Sequence, residues 1–125
     1  MEEDIQFRPA PVQRAGLNPW ADWRYLRYLG GLVAEVRPDI VLGYTHKAAI
    51  YSSLAANFVR SFSLITGLGY IFMESEKTMD PKRVLARRVL CRLYKRSLRR
   101  NELTFFQNEE DRDEFVGRRL VAKKK

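Results

Sequence analysis

The stretch Ser63-Leu64-Ile65-Thr66-Gly67-Leu68-Gly69-Tyr70-Ile71-Phe72 carries a strand pattern that ends in a glycine-containing loop. Residues 61–64 alternate polar and apolar side chains, and residue 65 is apolar as well. This pattern predicts a short strand at 61–65. Gly67 and Gly69 then break the strand, and glycine lets a ligand approach the main chain closely. Open α/β sheets usually bind ligands at such loops. Because an isolated glycine loop is a weak signal, the stretch indicates either a ligand site or a tight turn without a ligand.

The composition describes one globular domain or part of one. The 125 residues are 46% hydrophobic and 30% charged, with a net charge of +8. This hydrophobic content is enough for a core, which argues against disorder of the whole chain. The positive charge favours an acidic partner, such as nucleic acid, phospholipid head groups or a phosphate-bearing ligand.

Several kinds of site are disfavoured by the residues present. The single cysteine, Cys91, cannot form an internal disulfide, and the single histidine, His46, has no cysteine near it, so a metal site is not expected. No apolar run approaches the roughly 18 residues that a spanning helix needs. The acidic start, residues 1–4, lacks a secretory pattern, so a cytosolic location is expected.

The chain alternates predicted helices and strands. Residues 1–17 form an irregular lead-in, helices are predicted at 19–36, 46–59, 81–100 and from 109, and strands at 39–44, 61–65 and 103–106. This alternation predicts an α/β fold in which βαβ units build a Rossmann-like parallel sheet with flanking helices. Residues 18–125 are then a partial domain, and residues 120–122 are expected to start a further strand.

Local details refine this prediction. Asn18 suits the N-cap of the first helix, and a close contact with a neighbouring element is expected at Gly30 and Gly31 in its interior. The strand at 39–44 is predicted to be buried on both faces, as in parallel sheets. Small residues along the second helix are expected to let it lie close to the sheet: Ala48, Ala49, Ser52, Ser53 and Ala56.

Three polar loops follow the three predicted strands, at 44–47, 66–69 and 107–108. The carboxyl ends of parallel strands meet at one edge of a sheet, so these loops are expected to lie together. Helices begin after Thr45 and Asn108, and helix N-termini favour anions. The sequence therefore predicts a pocket at this edge.

The helix predicted at 81–100 is rich in basic residues, which form either a solvated face or a surface for a membrane or another polyanion. The membrane interpretation assigns contact to these basic residues and to one phenylalanine before the helix: Arg83, Arg87, Arg88, Arg92, Lys95, Arg96 and Phe72.

Five short blocks occur in a fixed order. They are Arg14-Ala15-Gly16-Leu17-Asn18-Pro19 with Asp22, Arg37-Pro38-Asp39-Ile40-Val41-Leu42, Tyr44-Thr45-His46-Lys47, Ile65-Thr66-Gly67-Leu68-Gly69-Tyr70-Ile71-Phe72, and Phe106-Gln107-Asn108 with Asp111. This order resembles that of bacterial family 4 glycosyltransferases, most closely the subgroup that extends lipid-linked oligosaccharides on undecaprenyl diphosphate. The resemblance covers nearly all of the chain from about residue 14 to residue 125.

The resemblance implies that the chain is the later part of the amino-terminal acceptor domain of a GT-B enzyme. Such an enzyme transfers a sugar, with retention, from a nucleotide-sugar donor to a lipid-linked glycan acceptor in cell-surface polysaccharide synthesis. It needs no metal or other cofactor, and it lies peripherally on the inner face of the cytoplasmic membrane. The donor-binding domain is expected to be absent, so the chain alone is expected to be inactive, and a separate donor-domain chain is one expected partner.

The acceptor pocket is assigned to residues near the carboxyl edge of the sheet: Arg14, Thr45, Lys47, Thr66, Gly67, Gly69 and Asn108. The two cations are expected to pair with phosphate or sugar hydroxyls, and the glycine amides to face the acceptor. Lys47 is alternatively an exposed lysine, Asn108 alternatively only a helix cap, and His46 is interpreted as a bystander. Many relatives carry a histidine where Gly67 begins the loop, so no catalytic base is assigned.

Three other functions stay open. The charge and the arginine-rich helix allow a nucleic-acid-binding module, although the sequence has no aromatic-plus-basic strand signature and no zinc-finger spacing. A dinucleotide-binding domain is disfavoured because the loop at 67–72 lacks the third glycine of that fingerprint. A non-catalytic interaction remnant is the third.

Overall fold

A computed structural model of the chain describes residues 5–13, 18–67, 75 and 77–122. These residues form four helices, α1 (Pro19–Val36), α2 (His46–Ala55), α3 (Pro81–Leu98) and α4 (Glu109–Gly117), and three strands, β1 (Ile40–Tyr44), β2 (Arg60–Ile65) and β3 (Leu103–Phe106). The predicted alternation of helices and strands is thus confirmed.

The three strands form one parallel sheet in the order β1-β2-β3. Leu42 lies opposite Phe62, and Phe62 lies opposite Leu103. All three strands therefore end at the same edge. This is a Rossmann-like α/β arrangement, as expected; the GT-B assignment stays a prediction.

Side chains at the helix starts explain where the helices begin. The Asn18 side chain accepts a hydrogen bond from the Ala21 N–H at 3.2 Å, and Asn108 accepts one from the Asp111 N–H at 2.7 Å. Asp80 performs the same role for α3, accepting from the Lys82 N–H at 3.3 Å. Each bond satisfies a backbone donor that has no partner within its own helix.

The core lies between one face of the sheet and the helices. Ile50, Ile65, Tyr94 and Phe115 are fully buried there. The Tyr94 and Phe115 rings meet edge to face with their centroids 5.1 Å apart. This aromatic contact packs α3 against α4 on the helix-covered face of the sheet.

A buried polar cluster fixes β2 between α2 and β3, and nothing in the sequence pattern predicted it. The Asn101 carboxamide oxygen accepts hydrogen bonds from Ser53 at 2.7 Å and Ser61 at 2.9 Å. Its amide group donates to the Ser63 hydroxyl at 2.7 Å. Since buried polar groups cost free energy unless they are paired, this geometry holds the surrounding elements in register.

Glycine packing gives one confirmed prediction and one wrong one. A Cβ at Gly43 would lie 2.7 Å from the Ala49 Cα, so α2 does lie close to the sheet over small residues. By contrast, a Cβ at Gly30 or Gly31 would meet no described atom within 4 Å. The expected close contact at these two glycines is therefore absent from the described residues.

Three further expectations were wrong. β1 is not buried on both faces: Leu42 is 61% exposed, because β1 is an edge strand and the described helices cover only one face. α2 ends at Ala55 rather than at 59, because Asn57 takes a left-handed backbone (φ 50°), and Phe58 is consequently fully exposed. Residues 120–122 form no strand; Leu120 is buried in the turn after α4.

Candidate functional site

The structure places four of the predicted pocket residues at the carboxyl edge of the sheet. Thr45 follows β1, Thr66 and Gly67 follow β2, and Asn108 follows β3. Thr45 lies against the neighbouring strand, since its N–H donates to the Leu64 carbonyl at 3.2 Å. Arg14 and Gly69 lie outside the described residues.

Two adjacent strand ends have an unusual backbone. Thr45 has φ 74° and Gly67 has φ 100°. A positive φ is rare for a β-branched residue, and such conformations cluster at functional sites. Thr45 also makes no side-chain cap bond to α2, so the first N–H groups of that helix have no side-chain acceptor from it. Helix N-termini of this kind attract anions.

Lys47 in the first turn of α2 forms an ion pair with Asp22 of α1. The ammonium nitrogen lies 2.7 Å from the carboxylate oxygen, and the side chains are only 14% and 9% exposed. Tyr51 also donates a hydrogen bond to Asp22, and burial together with this carboxylate raises the pKa of Tyr51. Lys47 is thus neither an exposed lysine nor an unpaired cation, and binding a phosphate requires it to serve Asp22 as well.

His46 connects α2 to α3. Its Nδ1 lies 2.7 Å from the Tyr94 hydroxyl oxygen. Burial lowers the pKa of His46, and the Asp111 carboxylate partly opposes this effect. Burial also raises the pKa of Tyr94. Both groups are therefore held neutral near pH 7, and the contact serves to dock the helices.

Asn108 acts as a helix cap, which was the alternative interpretation of this residue. Its side-chain oxygen accepts from the Asp111 N–H, and its amide nitrogen lies 3.0 Å from the Asp111 carboxylate. The residue is nevertheless exposed at the carboxyl edge. A hydroxyl-bearing ligand at this edge would meet its solvent-facing side.

An apolar groove of about 430 Å³ runs between α1 and α3, and we refer to it as the α1–α3 groove. It is lined by Pro19, Asp22, Trp23, Leu26, Tyr51, Lys82, Leu85, Ala86, Val89 and Leu93. Asp22 and Tyr51 are the polar groups of its wall beside Lys47, and Lys82 is its basic residue. The groove therefore joins an apolar channel to the charged pair at the start of α2.

The rim of this groove is aromatic and exposed. Trp20 and Trp23 are 66% and 48% exposed, and their rings stack with centroids 5.2 Å apart. Across the groove, Leu85 is 64% exposed. The Arg27 guanidinium lies 5.3 Å from the Trp23 ring centroid. Tryptophan beside apolar and basic side chains is typical of surfaces that enter a membrane interface.

Sequence reasoning overlooked the tryptophans, although a signal was present. Trp20 and Trp23 are three residues apart just after the helix start at Pro19, and residues with this spacing share a helix face.

The basic helix α3 presents most of the predicted surface residues. Arg88, Arg92, Lys95 and Arg96 are exposed and Arg83 is half-buried, whereas Phe72 lies outside the described residues. Arg87 departs from the prediction: it is only 4% exposed, and its guanidinium lies 2.9 Å from the Met79 sulfur. Its position seven residues before buried Tyr94 puts it on the inward face of α3.

The described residues include neither a membrane-spanning helix nor a cluster of metal-ligating side chains. No described helix has the length and apolar character needed to cross a membrane. Within residues 5–13, 18–67, 75 and 77–122, no three histidine, cysteine or acidic side chains are grouped to hold a metal ion.

The chain matches no family model, and a comparison with curated proteins finds no significant match.

Proposed function

We propose that this chain is the acceptor-binding part of a glycosyltransferase at a membrane surface, with a saccharide on a polyprenyl diphosphate as its acceptor. The observation that carries the proposal is the α1–α3 groove. Its apolar length opens at exposed tryptophans and reaches the Asp22–Lys47 pair beside the carboxyl edge of the sheet. A ligand with an isoprenoid tail and a charged, glycosylated head would match this order of an apolar groove followed by a charged end.

Each part of the acceptor has a counterpart in the site. The isoprenoid tail lies against Trp23, Leu85 and Val89, where its burial is favourable at about 25 cal/mol per Å² of apolar surface. The diphosphate lies at the uncapped start of α2 beside Lys47. The saccharide then projects across the carboxyl edge, over the Gly67 main chain.

Exposed cations support the membrane location. Arg88, Arg92, Lys95 and Arg96 extend along α3 from the groove. Each basic residue near an anionic leaflet contributes about 1 kcal/mol of attraction. Together with the tryptophan rim, they would hold the mouth of the groove at the head-group level, where the acceptor lipid is presented.

The chemistry assigned to this chain is binding and orientation of the acceptor. In the transfer step, an acceptor hydroxyl attacks the anomeric carbon of the nucleotide sugar on the face from which the nucleoside diphosphate leaves, so the configuration is retained, and the hydroxyl proton goes to a base. We place donor binding outside these residues and name no base among them. The resemblance of the five ordered blocks to family 4 enzymes supports this division.

Flotation with liposomes tests the proposal. Three vesicle preparations are compared at low and high salt: neutral phosphatidylcholine, phosphatidylcholine with an anionic phospholipid, and phosphatidylcholine with a polyprenyl diphosphate-linked saccharide at matched surface charge. We expect anionic lipid to promote flotation that weakens with salt. We expect the acceptor lipid to add a component that survives high salt, because it also fills the groove.

A pair of variants locates the contact. Trp20→Ser with Trp23→Ser should reduce flotation, whereas Phe58→Ser, which removes an even more exposed aromatic ring from the turn after α2, should not. Flotation that is equal on acceptor vesicles and charge-matched vesicles would overturn the acceptor assignment. Tight, salt-dependent binding to DNA or RNA without flotation would instead establish the nucleic-acid-binding alternative.

A further inference from the structure

No described strand pairs with the outer edge of β1. Among the described strands, β1 pairs only with β2. Because the Thr45 N–H donates to the β2 residue Leu64, the alternation of a strand turns the N–H groups of Val41 and Gly43 toward β2 as well. The N–H groups of Leu42 and Tyr44 then point away from the sheet. An edge of this kind is a template for a further strand.

Helix α1 lies across a groove from β1. α1 packs on α2, and a groove of about 290 Å³, the α1–β1 groove, separates its second half from β1. The wall on the α1 side consists of apolar residues: Tyr25, Leu29, Leu32, Val33 and Val36. Because α1 and β1 both line this groove, a strand added beside β1 would have one of its faces toward α1.

The other face of the sheet is apolar as well. Pairing and alternation place these side chains on the side away from the helices: Ile40, Leu42, Tyr44, Phe62, Leu64, Leu103 and Phe105. Five of the seven are exposed by 45% or more. Parallel sheets are normally covered on both faces, so a strand that continues this sheet would have apolar side chains on both sides.

The rest of this chain is poorly suited to the position. Residues 5–13 contain Pro9 and Pro11, which lack the N–H group that strand pairing needs. The longest stretch outside the described residues, 68–74, is tethered to Gly67 at the carboxyl edge and to Ser75. Seven residues reach at most about 25 Å, too short to travel the length of β1, about 17 Å, and return.

We propose that the β1 edge and the α1–β1 groove bind an additional β-strand from outside these 125 residues, apolar on both faces. Main-chain hydrogen bonds to Leu42 and Tyr44 fix the strand, and its inner side chains fill the groove under Leu29 and Val33. This interaction surface is distinct from the carboxyl edge and the α1–α3 groove. It stands whether or not the proposed function does.

A labelled peptide tests the proposal. The probe is a fluorescein-labelled peptide with a five-residue core of alternating valine and isoleucine between pairs of lysines. The lysines keep the +8 chain from attracting it by charge alone. We expect saturable binding by fluorescence anisotropy, and none for a control peptide whose core is serine and glycine.

The variant Leu42→Pro assigns the binding to the β1 edge. Proline there removes an outward N–H without removing a bond to β2, and edge strands tolerate it. We expect about tenfold weaker peptide binding, the upper range for the loss of one main-chain hydrogen bond. Equal binding to both proteins would overturn the proposal, because the peptide would then occupy another surface.

Hydrogen exchange gives an answer even if Leu42→Pro does not fold. In the wild-type chain, the peptide should protect the amides of Leu42 and Tyr44 and leave that of Gly43 unchanged. Absence of this alternating protection would contradict strand addition. A concentration-dependent dimer that protects the same two amides without peptide would overturn the proposal in favour of a second copy.

Discussion

At the scale of single residues, the Asp22–Lys47 pair joins α1 to α2 and borders the proposed acceptor site. Lys47→Met should destabilise the fold by about 3 kcal/mol, because it leaves a largely buried carboxylate without its cation. The measurement is the free energy of unfolding in urea. The double variant Asp22→Leu with Lys47→Met should recover most of the loss, since it removes both charges of the pair. A double variant less stable than Lys47→Met alone would contradict this account.

His46 should give the fold a pH dependence of defined sign. Burial lowers its pKa in the folded chain, so the unfolded chain takes up the proton at higher pH. The stabilisation is therefore present above the unfolded pKa of about 6.5 and is lost as pH falls below it. Between pH 7 and pH 5, His46→Gln should lose less stability than the wild type, measured by urea unfolding. The two proteins share their carboxylates, so identical profiles would refute the assignment to His46.

At the scale of elements, the approach of α2 to β1 depends on Gly43. Gly43→Ala should cost about 3 kcal/mol, the upper range for overpacking, because the added methyl group meets the backbone of α2. Gly31→Ala is the matched control: it adds the same methyl group where no described atom lies within 4 Å, and it should stabilise α1 by about 1 kcal/mol. Thermal unfolding of the two variants should therefore shift in opposite directions. A shift in the same direction would show that close packing is not the deciding factor.

Elements were predictable where their causes are local. The start of α1 follows from Asn18 and that of α4 from Asn108, because each cap acts within its own first turn. The end of α2 was not predictable, since it depends on a left-handed backbone at Asn57 that the surrounding apolar pattern conceals. The same limit applies to Asn101, whose partners lie 38 to 48 residues away in sequence.

The site was predictable to the same degree. The parallel order placed Thr45 and Gly67 at one edge, as predicted. The partner of Lys47 was not, because Asp22 comes from a different helix and its approach is set by packing of α1 on α2. Arg87 was predicted to lie at the surface because of its charge, whereas its position on α3 places it on the inward face.

At the scale of the whole molecule, the two proposals assign different partners to two apolar surfaces of the described residues. The tryptophan rim and the α1–α3 groove face the proposed lipid, and the β1 edge with the α1–β1 groove faces the proposed strand. Both tryptophans of the chain belong to the rim, so their fluorescence reports on the first surface alone.

Tryptophan emission should therefore shift to shorter wavelength when anionic vesicles are added, as the indole rings leave water. The shift should diminish with salt if the cations of α3 recruit the chain. The variant Arg88→Gln with Arg92→Gln and Arg96→Gln should require more anionic lipid for the same shift. If the chain floats with the vesicles while its tryptophan emission stays unchanged, the tryptophan rim is not the surface that contacts the membrane.

Amide chemical shifts would show whether the carboxyl edge holds a diphosphate-linked saccharide. A ¹⁵N-labelled chain would be titrated with a water-soluble, short-chain prenyl diphosphate disaccharide, and with inorganic diphosphate as the control. We expect the disaccharide to shift the amides of Lys47, Gly67 and Asn108 together, and diphosphate alone to affect Lys47 and its neighbours in the first turn of α2. Shifts confined to the basic face of α3, or equal shifts with both ligands, would contradict the proposed acceptor site.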